Sequence, residues 1–300
     1  MDPNPLLRAL GFAETDRVAI VHADDIGMCQ ASVAAFAELA DAGLVTSGAV
    51  MMPCGWAPAA AAWARAHPAA DIGVHLTLTS EWDAYRWGPL STRDPASGLL
   101  DAEGYFPRTT AAAQAADPEA AARELEAQVA RALAAGIDVT HVDTHMGAVN
   151  HPRLIPAYLE TARRYGLPPM VIRHDEAGWR AMGLDAEAAA FAAAAGRELE
   201  AAGVPLLDGI GMMPLDSHDD RVAVARRLFA ALPAGVTHVI LHPAIDTPEL
   251  RAIAPDWRSR VADYQAFLSR ELRDAVRAMG IQLIGYRPLR DLLRATRGVN

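Results

Sequence analysis

Histidine and aspartate side chains stand at the ends of four segments that are otherwise apolar. The residues are His22, Asp24, Asp25, His75, His145 and His242. Imidazole and carboxylate groups bind divalent cations and transfer protons near neutral pH. A fold that brings these side chains to one place would therefore create a metal centre, an acid–base pair or both.

The segment 139–146 carries His141, Asp143 and His145 at every second position. In a β-strand this spacing places all three side chains on one face. Three polar groups on an otherwise apolar strand are costly to desolvate unless they have partners. We expect His145, nearest the end of the strand, to bind a metal ion and Asp143 to orient a neighbouring imidazole. For His141 we favour a hydrogen-bonded position in the interior of the fold.

Asp24 and Asp25 are adjacent, so a regular strand would point them to opposite faces. Gly27 follows two residues later and allows the chain to turn, which could bring both carboxylates to one site. One carboxylate would then bind a cation, and the other would stay free as a base. Capping of the next helix, which begins near Cys29, is the alternative for one of the two.

One carboxylate with two imidazoles leaves coordination positions open, as in catalytic rather than structural metal sites. A divalent cation held in this way polarises an acyl oxygen and lowers the pKa of bound water to about 7. Hydrolysis also requires a base for the water and an acid for the leaving group. Asp24 fits the first role and His242, on a different strand, fits the second. Arg173 could keep Asp24 ionised or stabilise an oxyanion, although a surface cation explains it equally well.

Strand-like and helical segments alternate along almost the whole chain. The predicted strands cover residues 17–23, 47–52, 71–78, 139–146, 170–173, 206–212, 236–241 and 282–286, and a long helix is predicted over 257–279. Repeated strand–helix units imply parallel strands with right-handed crossovers. We predict an α/β fold, a TIM-like (β/α) barrel of seven or eight parallel strands with irregularities, formed as one domain over residues 1–300. An open doubly wound sheet is the competitor, although no glycine-rich phosphate motif follows a strand.

In both folds the carboxyl ends of the strands face one mouth, where ligands bind. Five of the predicted strands end in the titratable or cationic residues named above. Any one of them could be an ordinary polar residue at a strand end. Five strands that supply such groups to one rim are hard to explain by packing alone.

The composition excludes several classes of protein. The 37 acidic residues exceed the 27 basic ones, and the net charge of −10 does not attract nucleic acid or anionic lipid. The two cysteines, Cys29 and Cys54, cannot form a disulfide framework or a thiolate metal site. The sequence shows no secretory signal and no segment that could span a bilayer, so we expect a cytoplasmic protein. A homo-oligomer is left open.

Four short motifs occur together in the order 22–27 (HADDIG), 73–76 (GVHL), 140–145 (THVDTH) and 241–243 (LHP). In this combination the sequence resembles the YdjC-like carbohydrate deacetylases, the family that includes the chito-oligosaccharide deacetylases. The resemblance implies a (β/α)-barrel enzyme that uses one divalent metal ion to remove acetyl groups from N-acetylated amino sugars. It implies Asp25, His75 and His145 as metal ligands, Asp24 as the catalytic base and His242 as the proton donor.

The sequence departs from the usual family pattern at two places. His22 stands where the first motif commonly has Asn, and Met146-Gly147 follow His145 where further histidines are common. The implied ligand set survives both changes, whereas contacts with the sugar, and so its identity, are left open. Two imidazoles and a carboxylate suit Zn²⁺, and Mg²⁺, Mn²⁺ and Co²⁺ are alternatives.

The segment 79–106 is a long loop that follows the strand of His75 and should overhang the mouth. It contains five of the 18 aromatic residues of the chain, namely Trp82, Tyr85, Trp87, Tyr105 and Phe106. Loops of this length are usually binding loops or lids. We predict that Trp82 or Trp87 stacks on a sugar ring and that Tyr85 also contacts substrate. A small satellite core that holds the loop in place is the alternative.

Two other functions remain open at this point. The first is a catalytically silent barrel that binds a carbohydrate or a metal ion. The departures from the family pattern at His22 and Met146 are compatible with it. The second is the same metal site acting on another ester, amide or phosphorylated substrate.

Overall fold

The computed structural model describes residues 4–297, which form a seven-stranded parallel β-sheet with helices around it. The strands are β1 (Arg17–Ile26), β2 (Ser47–Val50), β3 (Ile72–Leu76), β4 (Val139–Thr144), β5 (Gly209–Met212), β6 (Gly235–Leu241) and β7 (Gln282–Leu283). Every pair of neighbouring strands is parallel, as repeated strand–helix units require.

Helices follow most of the strands. They are α1 (Pro5–Ala9), α2 (Gln30–Ala42), α3 (Ala57–Ala66), α4 (Thr110–Gln114), α5 (Pro118–Ala134), α6 (Ile155–Tyr165), α7 (Glu176–Ala181), α8 (Ala186–Ala201), α9 (Arg221–Ala230), α10 (Pro248–Ile253), α11 (Trp257–Leu268), α12 (Arg270–Ala278) and α13 (Arg287–Arg297). Gly43 and Gly166 end α2 and α6 in the left-handed conformation that only glycine adopts freely. Within residues 4–297, no helix is both long and apolar enough to cross a membrane.

The strand order is β4-β3-β2-β1-β6-β5, and β7 pairs with the first half of β1. The segment 169–173 lies between the two ends of this order. It makes single bridges from Pro169 to Val142 of β4 and from Ile172 to Leu207 just before β5. The ring of strands is thereby closed, and the predicted (β/α) barrel is confirmed. It is irregular at the strand predicted over 170–173, because Pro169, directly before it, has no N–H for a regular ladder.

The helix predicted over 257–279 is wrong in one respect, because it divides at Ser269 into α11 and α12. Ser269 has an extended backbone (φ −68°, ψ 137°), and its hydroxyl accepts a hydrogen bond from the N–H of Leu272. A serine that caps a new helix satisfies a backbone group that would otherwise be unpaired. The apolar periodicity runs through both helices, so it did not reveal the break.

The two faces of β1 have different neighbours. Val18 and Ile20 pack with residues of α1, with Val236 of β6 and with Tyr286 inside the ring of strands. Ala19 and Val21 belong to the larger core between the strands and the outer helices. Continuing the alternation, the side chains of His22 and Asp24 enter the upper part of the barrel interior.

Candidate metal centre and active site

Asp24 and Asp25 reach the same site because the backbone leaves the extended conformation at Asp25. This residue has φ +62°, an uncommon value for a non-glycine residue, and Gly27 two positions later has φ +84°. The change interrupts the alternation of side chains at the end of β1. Gly27 was expected to provide the turn, and the structure adds a left-handed aspartate, a kind of local strain that concentrates at functional sites.

The Asp25 group consists of Asp25, His75 and His145, whose potential ligand atoms lie within 4.8 Å of one another. Asp25 Oδ1 lies 3.4 Å from His75 Nε2 and 3.1 Å from His145 Nδ1. It is buried and has no hydrogen-bond partner among the described residues. A buried carboxylate oxygen without a partner, facing two ring nitrogens, is the arrangement that a bound cation would satisfy.

Each imidazole of the Asp25 group is hydrogen-bonded to a second carboxylate through its other nitrogen. His75 Nδ1 donates to Asp143 at 2.9 Å, and His145 Nε2 donates to Glu81 at 3.0 Å. Such outer carboxylates orient metal-binding histidines and increase their basicity. The prediction that Asp143 orients an imidazole agrees with its contact to His75.

The charge around this group is strongly negative when the imidazoles are neutral. Asp24, Asp25, Glu81 and Asp143 carry four negative charges, and one guanidinium, that of Arg260, lies among them. Arg260 is buried in α11 and its Nη1 lies 2.7 Å from Asp25 Oδ2. A divalent cation between the imidazoles would neutralise most of the negative charge that Arg260 leaves unbalanced. Charge and donor atoms therefore both fit a divalent metal ion.

The pKa values of these groups follow from burial and from their partners. Burial raises the pKa of Asp25, but the charges of Arg260 and His145 outweigh it and hold this pKa well below its usual value. Burial lowers the pKa of His145, while the charges of Glu81 and Asp25 raise it, to a net value of about 9. The pKa of His75 is likewise raised, because Asp143 and Asp24 outweigh its burial. Without a metal ion, protons on these imidazoles take the place of the cation.

A second set of donors lies deeper in the barrel, and the contacts there are of another kind. It consists of His22, Asp24, Asp143 and His238. His22 is hydrogen-bonded through Nδ1 to Asp24 at 2.7 Å and through Nε2 to His141 at 2.8 Å. A cation bound by His22 would have to displace one of these two partners, because both ring nitrogens are already hydrogen-bonded. This second set is therefore better described as a hydrogen-bonded layer than as a metal site.

We call His22, His141, His238 and Tyr286 the His22 group. His141 stacks on Tyr286 with ring centroids 3.9 Å apart, and the Tyr286 hydroxyl is hydrogen-bonded to His238 Nδ1 at 2.9 Å. A Cβ atom at Gly73 would come within 2.5 Å of the His141 ring, so β3 can pass the ring only with glycine there. The interior position expected for His141 is the one observed.

Asp24 and His242 lie beside the Asp25 group. Asp24 Oδ2 is 3.7 Å from His75 Nε2 and 3.8 Å from His242 Nε2. Burial raises the pKa of Asp24, but His75 and His22 outweigh it and the net pKa is lowered. Burial lowers the pKa of His242, whose Nδ1 has no hydrogen-bond partner among residues 4–297. The structure thus places an ionised carboxylate next to a neutral imidazole, while their roles as base and acid stay predictions.

Arg173 lies beside Glu200 and Asp208. Its guanidinium forms ion pairs with Glu200 at 3.2 Å and with Asp208 at 3.6 Å. Asp208 accepts a hydrogen bond from the N–H of Val236, at the amino end of β6 and away from the mouth. The arginine that adjoins the Asp24-Asp25 turn is Arg260. The predicted role of Arg173 beside Asp24 stays a prediction.

Sequence reasoning missed Arg260 and Glu81. Arg260 lies in the first turns of a helix that was recognised from its apolar face, and nothing in the spacing marked this arginine as buried. Glu81 lies in the loop 79–106, whose aromatic residues drew attention while its carboxylate did not. The signal that could have found it is its position, six residues after His75 and close to the carboxyl end of β3.

The aromatic residues of the loop pack mainly against one another. Trp82 and Trp87 are buried and lie with ring centroids 5.7 Å apart, and Tyr85 lies 5.7 Å from Trp87. Trp87 Nε1 donates a hydrogen bond to the carbonyl of Thr79 at 2.8 Å. These contacts agree with a satellite core that holds the loop above His145, whose ring lies 6.2 Å from that of Trp87. Stacking of these rings on a sugar stays a prediction.

Comparisons with known proteins agree with the motifs. Residues 18–278 match the family of YdjC-like proteins. A carbohydrate deacetylase of Thermus thermophilus is 38% identical over 269 residues, which are 89% of this chain and 92% of that protein. A carbohydrate deacetylase of Thermoanaerobacter pseudethanolicus is 27% identical over 89% of this chain and 97% of its own length. A chitooligosaccharide deacetylase of Yersinia enterocolitica is 30% identical over 53% of this chain and 61% of its own length.

A solved structure shows the same fold. It is the crystal structure of an Enterococcus faecalis protein proposed to cleave cellobiose phosphate, with a TM-score of 0.75 and 23% sequence identity. The superposition covers 91% of this chain and 99% of the other. At this identity the similarity shows the fold alone. The family match over residues 18–278, together with the Thermus relative, shows that this chain belongs to the YdjC-like family.

Proposed function

We propose that this protein is a metal-dependent carbohydrate deacetylase that removes the acetyl group from an N-acetylated amino sugar or oligosaccharide. The observation that carries the proposal is the buried Asp25 Oδ1, which has no hydrogen-bond partner among the described residues and faces His75 and His145. The names of the relatives supply the substrate class, since several of them are carbohydrate deacetylases. A metal ion with an acid–base pair beside it can hydrolyse an amide, and the location of Asp24 and His242 beside the Asp25 group supports this chemistry.

Asp25, His75 and His145 would hold the ion. When bound, it would supply Lewis-acid chemistry for the acetyl carbonyl and for a water molecule. Zn²⁺ suits this donor set best, and Mg²⁺, Mn²⁺ and Co²⁺ are the alternatives for a metal-exchange experiment. Arg260 keeps Asp25 ionised through their ion pair, so the carboxylate is ready to bind a cation.

Asp24 would act as the general base. Its lowered pKa keeps it ionised at neutral pH, and His22 fixes its orientation by a hydrogen bond at 2.7 Å. Asp24 would remove a proton from the water molecule as the water oxygen forms a bond to the acyl carbon. The charge on Asp24 is neutralised at that moment.

His242 would act as the general acid. The 3.8 Å between Asp24 Oδ2 and His242 Nε2 is short enough for a small side-chain shift to bring them into hydrogen-bond contact. The proton taken from water could then pass to His242 and from there to the leaving nitrogen. The carbon–nitrogen bond breaks to give an amine and acetic acid, and transfer of the acid's proton to the amine leaves acetate and a protonated amino sugar. One water molecule is consumed in each cycle.

Acetate release from a panel of N-acetylglucosamine oligomers tests the proposal. We expect metal-loaded wild-type protein to release acetate from at least one member of the panel. Protein with one bound ion that releases no acetate from any amino sugar would contradict the proposed substrate class.

Asp24→Asn separates catalysis from mere binding of a sugar or an ion. The amide cannot accept a proton, so we expect turnover to fall by about 10²- to 10⁴-fold, as for loss of a general base. The metal content should stay at one ion for each chain, because Asp25, His75 and His145 are unchanged. Equal turnover in the variant and the wild type would favour a base other than Asp24.

A further inference from the structure

We infer that Glu81 is a positioning residue through which the loop 79–106 controls the affinity of the Asp25 group for its metal ion. The inference rests on the proposed function only in that it assumes a divalent ion at this group. It adds a role for a loop residue in holding His145.

Glu81 and Asp25 hold opposite edges of the same imidazole. Glu81 Oε2 lies 3.0 Å from His145 Nε2, and Asp25 Oδ1 lies 3.1 Å from His145 Nδ1. An ionised carboxylate can only accept a hydrogen bond, so His145 Nε2 must carry the proton in this contact. In the neutral ring Nδ1 then has the lone pair, and it faces Asp25. The contact with Glu81 thus selects the tautomer and the ring orientation that a cation needs.

His75 is held in the same way but by a different kind of element. Its partner Asp143 lies in β4, and the two residues are paired directly across β3 and β4. Glu81 lies in a segment without helix or strand hydrogen bonding. One imidazole is therefore fixed by the sheet itself, whereas the other is fixed by a loop that must first be in place.

The residue after Glu81 contacts the other side of the Asp25 group. The ring of Trp82 lies 5.3 Å from the guanidinium carbon of Arg260, which pairs with Asp25 Oδ2. Glu81 thus contacts His145, which faces Asp25 Oδ1. Trp82, the next residue, contacts Arg260, which faces Asp25 Oδ2. Movement of this part of the loop would release His145 and Arg260 together. Binding of metal and ordering of the loop are consequently coupled.

Glu81→Ala and Glu81→Gln test the inference through metal affinity, measured for whichever of Zn²⁺, Co²⁺, Mn²⁺ and Mg²⁺ the wild-type protein binds most tightly. Loss of an outer carboxylate typically lowers metal affinity about 10- to 100-fold. We expect a loss in this range for Glu81→Ala and a smaller loss for the isosteric Glu81→Gln, which can still accept a hydrogen bond. Asp143→Asn makes the equivalent carboxylate-to-amide substitution in β4, at the residue that is hydrogen-bonded to His75.

Glu103→Gln is the matched control within the loop. Glu103 is an exposed carboxylate that pairs with Arg86 and Arg108, away from His145. Its substitution should leave metal affinity unchanged. Thermal melting of each metal-free variant separates a general loss of stability from a loss of affinity, and Glu81→Gln, which keeps the shape of the side chain, remains informative if Glu81→Ala does not fold.

Hydrogen exchange of the loop supplies a readout that a purely structural role would not change. Metal should slow amide exchange in residues 79–90 of the wild type and should slow it much less in folded Glu81→Ala. Wild-type affinity and wild-type protection in folded Glu81→Ala would overturn the inference while leaving the proposed function intact. A wild-type protein that binds no divalent ion would overturn both.

Discussion

The Asp25 group and the His22 group lie next to each other in one barrel and use the same residue types, yet they differ in how their polar atoms are paired. In the His22 group, both nitrogens of His22 have hydrogen-bond partners inside the protein, and so do both nitrogens of His141. In the Asp25 group, each imidazole has one nitrogen bound to a carboxylate and the other facing Asp25 Oδ1, which has no hydrogen-bond partner in the described chain.

Electrostatics separates the two groups further. The pKa of His145 is raised to about 9, because the carboxylates around it outweigh its burial. The pKa of His238 is lowered to about 3 by burial and by the neighbouring His22. One group attracts positive charge and the other excludes it. His238 Nε2 also has no hydrogen-bond partner among the described residues, so the difference lies in the buried carboxylate oxygen of Asp25, which is unpaired and faces two ring nitrogens. A cluster of histidines therefore indicates a metal site where such an oxygen accompanies it.

The largest expected difference between the groups is in metal binding. Asp25→Asn removes the negative charge that a cation would contact, so we expect loss of the bound ion and a fall in activity of at least about 1,000-fold, since a catalytic metal supplies several kcal/mol. His141→Asn, in the His22 group, should retain one ion for each chain. Elemental analysis and acetate release on the same preparations check both outcomes. Equal metal content in Asp25→Asn and wild type would show that the carboxylate of Asp25 does not hold the ion.

A smaller effect is expected for the buried ion pair behind Asp25. Arg260→Gln leaves Asp25 Oδ2 buried without its cation, and loss of one partner of a buried pair typically reduces the free energy of unfolding by about 3–5 kcal/mol. Arg251→Gln, which breaks an exposed pair with Asp246, should reduce it far less, because solvent screens that pair. Urea unfolding of the metal-free proteins measures both. A similar loss in the two variants would show that burial of Arg260 does not increase its contribution to the free energy of unfolding.

The residues of both groups that lie on strands could be predicted from the sequence, because their positions depend on local strand geometry. The period-two spacing of His141, Asp143 and His145 and the positions of His75 and His242 at strand ends follow directly from strand geometry. The contributions of Arg260 and Glu81 depend on how a distant helix and an irregular loop pack over the barrel, which no periodicity describes. The break at Ser269 was hidden because capping acts on one backbone group and leaves the apolar pattern intact.

The smallest predicted effect concerns the pH dependence of stability in the His22 group. His238 has a folded-state pKa of about 3 and an unfolded value near 6.5, so below pH 6.5 the unfolded chain takes up a proton that the folded chain does not. Its contribution is fully present above pH 6.5 and falls by about 2 kcal/mol between pH 7 and pH 5. His238→Asn should remove this part of the slope. Denaturant unfolding of metal-free wild type and variant at both pH values checks it, and identical slopes would show that His238 becomes protonated in the folded barrel.

Anomalous diffraction from crystals of metal-loaded protein locates the ion in the barrel without reference to activity. We expect one anomalous peak for each chain, enclosed by Asp25, His75 and His145. A peak among His22, Asp24, Asp143 and His238 instead, or no peak in either place, would contradict this expectation.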